Sequence, residues 1–102
     1  MKGREVNNQE IVKRSIEESL IIVSSIASNP IPFEPEFTGV LIGVSGLLDS
    51  LETVTLLINI EEKVNLKIGK HIDLTARIFE RLNNSLTKGE LESAILEIIL
   101  DH

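Results

Sequence analysis

Ser50 is the residue of this chain whose type and setting come nearest to chemistry. It follows Asp49, and Glu52 stands three positions after Asp49. That spacing predicts a capping box at a helix start, with the Asp49 side chain accepting from free first-turn N–H groups. A serine in a first helical turn is usually exposed, and the positive end of the helix dipole stabilises an anion there. Ser50 is therefore a good position to carry a phosphate ester. An isolated Asp-Ser-Leu is far more often a plain helix start, so its surroundings have to decide.

Other reactive residue types do not converge. His71 and His102 are too few and too scattered for a metal site, which needs several ligands. The chain has no cysteine, which excludes disulfides, thiolate zinc sites and a thiol chemistry of its own. Gly39, Gly43 and Gly46 lack the lysine and the preceding strand of a phosphate-binding loop. No histidine is placed near a candidate serine. Glu61 and Glu62 are adjacent and point in different directions on a helix. The chain is read as a non-enzyme without a metal.

Charge narrows the partners. The 102 residues carry a net charge of −6. The first 25 balance, residues 26–66 set six acidic groups against Lys63 alone, and the remainder is −1. Acidity centred around Ser50 steers basic protein surfaces and argues against nucleic acid. Three Phe, no Tyr and no Trp leave few stacking platforms for bases. No apolar run follows the N-terminus as in a secretory signal, and Asp49 and Glu52 interrupt the apolar stretch Val40–Ile60. The expectation is one cytoplasmic domain over 1–102, flexible over 1–8, monomeric and without membrane insertion.

The elements that must hold Ser50 read as helical throughout. Val12, Ile16, Leu20, Val23 and Ala27 recur at helical spacing and predict helix one over about 9–28, with Asn7 or Asn8 as cap and Asn29-Pro30 as its end. Three prolines at 30, 32 and 35, then Gly39, Gly43 and Gly46, predict a long loop. Phe33, Phe37, Val40, Leu41, Ile42 and Val44 predict that this loop packs on the helices. Helix two runs from Asp49 to about Asn65, with Leu56, Leu57, Ile60 and Val64 on its core face and Glu52, Asn59 and Lys63 roughly opposite. Between those faces lies an apolar strip, Leu51, Val54 and Ile58, rimmed by Glu61 and Glu62, which periodicity fits equally to a partner surface or to a helix buried on two sides. Asp73 opens a short third helix through Leu74, Ile78, Phe79 and Leu82. Thr87-Lys88-Gly89-Glu90 is a capping box for the last helix, whose apolar face is Leu91, Ala94, Ile95 and Ile98, with Ile99 and Leu100 adding at its end. The fold class is all-α: a small bundle of three main helices and one short one, with a long loop between the first two.

In this context Gly46-Leu47-Leu48-Asp49-Ser50-Leu51-Glu52-Thr53-Val54 resembles the attachment motif of the acyl carrier protein family. The likeness continues through Leu56, Leu57, Ile58, Ile60, Glu61 and Glu62, and more weakly through Leu74-Thr75, Phe79 and the last helix. The resemblance implies that Ser50 receives 4′-phosphopantetheine from coenzyme A through a separate, magnesium-dependent transferase. Asp49 then matches the acid that caps the helix and meets the transferase. Leu51, Val54 and Ile58 match the contact strip, and Glu52, Glu61 and Glu62 match acids that meet basic patches on acyl-loading and acyl-processing enzymes. It further implies acyl groups carried as thioesters, sheltered in a cavity lined from Leu56, Leu57 and Ile60. Thr55 in place of an acid, Lys63 within the acidic end, and Leu47-Leu48 before Asp49 depart from fatty-acid carriers. They favour a specialised polyketide, peptide or modified-lipid pathway. The competing expectation is a carrier-like helical adaptor that binds partners through helix two with no prosthetic group.

Overall fold

A computed structural model describes residues 7–27, 31, 39–43, 46–80 and 85–101. Four helices dominate them: α1 (Asn8–Ser24), α2 (Ser50–Ile68), α3 (Leu74–Glu80) and α4 (Lys88–Leu100). The chain is thus a small, mostly helical fold. Among the described residues no helix is long and apolar enough to cross a membrane.

The predicted periodicity of α1 holds: Val12, Ile16, Leu20 and Val23 are fully or almost fully buried. Asn7 caps it, its Oδ1 accepting from the Gln9 N–H at 2.8 Å, and the helix begins at Asn8. Residues 1–6, Asn29-Pro30, Phe33, Phe37, Val44 and Leu82 lie outside the described residues. The helix also ends earlier than expected, at Ser24. Hydroxyls of Ser24 and Ser25 donate to the Ile21 and Ile22 carbonyls, and the Ser25 and Ile26 N–H groups bond three residues back. Such bonds tighten the last turn and stop the α-helical ladder.

α2 runs three residues past its expected end. Gly69 closes it in the left-handed conformation, φ 69°, and donates to the Asn65 carbonyl, a geometry in which glycine escapes the steric penalty of a Cβ. Asn65 also holds the next segment: its side-chain amide donates to the Ile72 carbonyl and accepts from the Ile72 N–H. That clamp delivers Ile72 and Leu74 to the core, where both are 1 % exposed.

One departure from an all-helical reading is a two-stranded antiparallel sheet, β1 (Val40–Ile42) with β2 (Leu86–Thr87). Three aliphatic residues between glycines are too few for any periodicity, and the strand exists only through pairing with a segment far along the chain. β1 also accepts from the approach to α2: the Leu47 and Leu48 N–H groups donate to the Val40 and Leu41 carbonyls. The first loop is thereby fastened to the starts of both α2 and α4, and Leu41, Ile42 and Leu48 are buried, as its apolar residues predict.

α1 packs against α2 and α4. The beginning of α1 (Asn8, Ile11) meets the ends of α2 (Lys67, Ile68) and α4 (Ile99), so α1 runs antiparallel to both. Leu56, Leu57, Ile60, Val64, Leu91, Ile95 and Ile98 form the core with α1, but Leu100, expected on the apolar face of α4, is exposed. Ser15 and Ser19, one turn apart on α1, are fully buried, and their hydroxyls have no hydrogen-bond partner among the described residues.

Candidate functional site

The site is built at the start of α2. Gly46 is fixed sterically, because a Cβ there would stand 2.6 Å from the Leu41 carbonyl oxygen and 2.7 Å from the Ile42 Cα. Only glycine lets the chain pass β1 this closely before turning into the helix. Asp49 follows in extended conformation as N-cap. Its Oδ1 accepts from the Glu52 N–H at 2.8 Å, and the Glu52 Oε1 accepts from the Asp49 N–H at 3.0 Å. The capping box predicted from the sequence is complete.

Ser50 occupies the first position of α2 and is exposed. Among the described residues its hydroxyl has no hydrogen-bond partner. A free hydroxyl over the positive end of a 19-residue helix can take an acidic substituent with favourable electrostatics. Leu51, the next residue, is 72 % exposed, Ile58 is 44 % exposed, and Val54 between them is half-buried. The expected strip is therefore present beside Ser50.

The acidic rim differs from the expectation. Glu52 is only 4 % exposed, because its carboxylate is folded back onto the helix start as the second half of the box. Its side of α2 faces α1 rather than solvent, as Lys63 on the same side shows by reaching Glu18 at 4.0 Å. Glu61 is half-buried and its Oε1 accepts from the Thr75 N–H at 2.8 Å, which caps the start of α3. Glu62 alone of the three is exposed. Glu52, expected roughly opposite the core face and matched by the resemblance to an acid that meets basic patches, is thus buried in the helix start, and Glu61 ties α2 to α3.

No open cavity is lined by the expected residues among those described. Leu56, Leu57 and Ile60 are at most 2 % exposed and closed into the core. A described pocket of about 390 Å³ lies instead at the far end of α2, lined by Asn8, Ile11, Lys67, Ile68, Lys70 and Ile99. At 1.5 Å per residue that is about 27 Å along the helix from Ser50. Among the described residues no group of three or more His, Cys, Asp or Glu side chains could hold a metal.

Sequence reasoning overlooked two surface residues, Ile22 in the last turn of α1 and Ile26 two positions past its end, which are 43 % and 56 % exposed. Their signal was available: both are large and aliphatic, yet neither belongs to the periodic face that carries Leu20 and Val23.

The site and fold define a small helical protein with an exposed, capped serine beside an apolar strip. No family model, curated protein or solved structure matches the chain.

Proposed function

We propose that the chain is an acyl carrier protein whose Ser50 takes a 4′-phosphopantetheine from coenzyme A: the Ser50 oxygen loses its proton and forms a phosphodiester as the pyrophosphate bond breaks and adenosine 3′,5′-bisphosphate leaves. The observation that carries this reading is Ser50 itself, exposed and unpartnered among the described residues at the capped first position of α2. The residues present fit such a group. Ser50 offers the hydroxyl, the first turn of α2 offers its dipole to the phosphate, and Gly46 and Asp49 hold the approach rigid. When bound, the group supplies a terminal thiol on which an acyl chain travels as a thioester. The protein's own part is to fix the attachment point and present Leu51, Val54, Ile58 and Glu62 to the loading transferase and to acyl-processing enzymes. The motif around Ser50 supports this reading together with a role in a specialised pathway, given Thr55 and Lys63 where acids are usual.

Incubation with coenzyme A, magnesium and a broad-specificity phosphopantetheinyl transferase, followed by intact-mass measurement, tests it. The expected result is a gain of one phosphopantetheine that Ser50→Ala abolishes. No gain, or a gain that survives the substitution, rejects it.

The exposure of Leu51 and Ile58 also suits a second reading, a helical adaptor that binds partners without a prosthetic group. A native protein isolated unmodified, with partner binding indifferent to Ser50→Ala, would favour the adaptor.

A further inference from the structure

The pocket at the far end of α2 has a wall of two kinds. Ile11, Ile68 and Ile99, one from each of α1, α2 and α4, supply aliphatic surface, and Asn8, Lys67 and Lys70 supply the polar part. Ile11 and Ile99 belong to the core and Ile68 packs against it, so the apolar floor is held by the bundle itself. Gly69, left-handed at φ 69°, turns the chain between the last helical residues and Lys70. Lys67 on the helix and Lys70 beyond it thereby reach one cavity. Its volume of about 390 Å³ is in the range of small-molecule sites. At about 30 Å³ per water-sized group, that volume takes roughly a dozen non-hydrogen atoms.

Charge selects the kind of ligand. In a chain of net charge −6, the charged residues that line this pocket are both lysines. The start of α1 adds about half a positive charge, and the ends of α2 and α4 subtract about half each, so the two full charges decide the sign. Glu18 lies 3.5 Å from Lys67 Nζ, but its side chain is 50 % exposed and also faces Lys63 at 4.0 Å. Solvated pairs of this kind are weak, and an ammonium has three donors, so Lys67 can serve Glu18 and a ligand together. Asp101 caps α4 two positions past Ile99, yet it is exposed and outside the lining. Two lysines set against Glu18 leave one positive charge to answer, which suits a monoanion better than a phosphate ester of charge about −1.5 to −2.

We infer that this pocket binds a small free aliphatic carboxylate, its anionic head between Lys67 and Lys70 and its hydrocarbon tail on Ile11, Ile68 and Ile99. A bare anion leaves the three isoleucines uncovered, a neutral amphiphile leaves the lysines unanswered, and a cationic one is repelled. The site lies about 27 Å along α2 from Ser50. It is separate from the attachment position, and the inference does not rest on the reading of Ser50.

Titration of the unmodified full chain with sodium octanoate, followed by NMR of its isoleucine methyl and backbone amide signals, tests it. The expected result is a saturable shift at Ile11, Ile68 and Ile99 with a Kd of about 1 mM or tighter, the level that about ten non-hydrogen atoms reach at ordinary ligand efficiency. Octanamide, which keeps the tail and lacks the charge, should bind about ten-fold or more weakly, and octylamine should leave the signals in place. Lys67→Gln/Lys70→Gln should weaken octanoate by about ten-fold or more. Lys63→Gln, on the same seam but outside the lining, should change it by less than about three-fold. Circular dichroism melts check that these variants fold, and the comparison among ligands on the native chain needs no variant. A Kd weaker than about 10 mM, octanamide or octylamine binding as tightly as octanoate, or folded Lys67→Gln/Lys70→Gln binding it as the native chain does overturns the inference. Octyl phosphate binding about ten-fold more tightly than octanoate overturns the choice of a monoanion. Shifts centred on Leu56, Leu57 and Ile60 or on Leu51 and Ile58 place the ligand elsewhere and overturn the site.

Discussion

α2 and α4 begin with the same device and present different things with it. Each follows a segment tied into the β1–β2 sheet, and each is closed by a reciprocal capping box, Asp49 with Glu52 and Thr87 with Glu90. At the first helical position α2 has exposed Ser50 and α4 has half-buried Lys88. At the second, α2 exposes Leu51 and α4 has Gly89, around which a Cβ would meet nothing within 4 Å. At the third, Glu52 is buried and Glu90 exposed. The cap therefore explains why the helices start where they do and says nothing specific about function. The specific features of the α2 start are a free hydroxyl, an apolar neighbour left in water, and a backbone passage too narrow for any side chain.

This contrast can be tested from its largest expected effect down. Ser50→Ala should remove phosphopantetheine loading completely, while Lys88→Ser, which gives the α4 start the same first residue, should add no second modification by intact mass. A second modification on the Lys88→Ser variant would show that a capped serine alone suffices. Gly46→Ala should destabilise the fold by about 2–3 kcal/mol, the range for forcing atoms into a packed site, read as a lower urea midpoint. Gly89→Ala, in open space within a helix, should instead stabilise by about 0.5–1 kcal/mol. Glu52→Ala leaves a part-buried Asp49 N–H without its partner and should cost about 1–3 kcal/mol, against about 0.5 kcal/mol for the exposed Glu90→Ala. Asp49→Ala and Thr87→Ala should each cost about 1 kcal/mol as lost caps. Their melting curves should coincide, and only Asp49→Ala should also slow the loading of Ser50.

The sequence carried those features that arise locally. Both capping boxes and the buried faces of α1 and α2 follow from side chains acting within a few residues of one another, whereas periodicity left open whether Leu51 and Ile58 stand in water or pack. Features that depend on distant partners were not legible. β1 and β2 require Val40 to find Thr87 across nearly half of the chain. Glu61 reads as a rim residue until the start of α3 is brought beneath it. Glu52 reads as both a capping and an outward acid, and its burial shows it folded onto the helix start.

The buried hydroxyls of Ser15 and Ser19 have a consequence for how robust the molecule is. Each oxygen gave up hydration on folding with no bond to any of the described residues in return. Alanine is as compact and favours the helix more. Ser15→Ala and Ser19→Ala should therefore each raise the melting temperature rather than lower it. The natural chain sits below the thermal tolerance its own backbone permits, and removing one oxygen from each of two serines is a direct route to a hardier form.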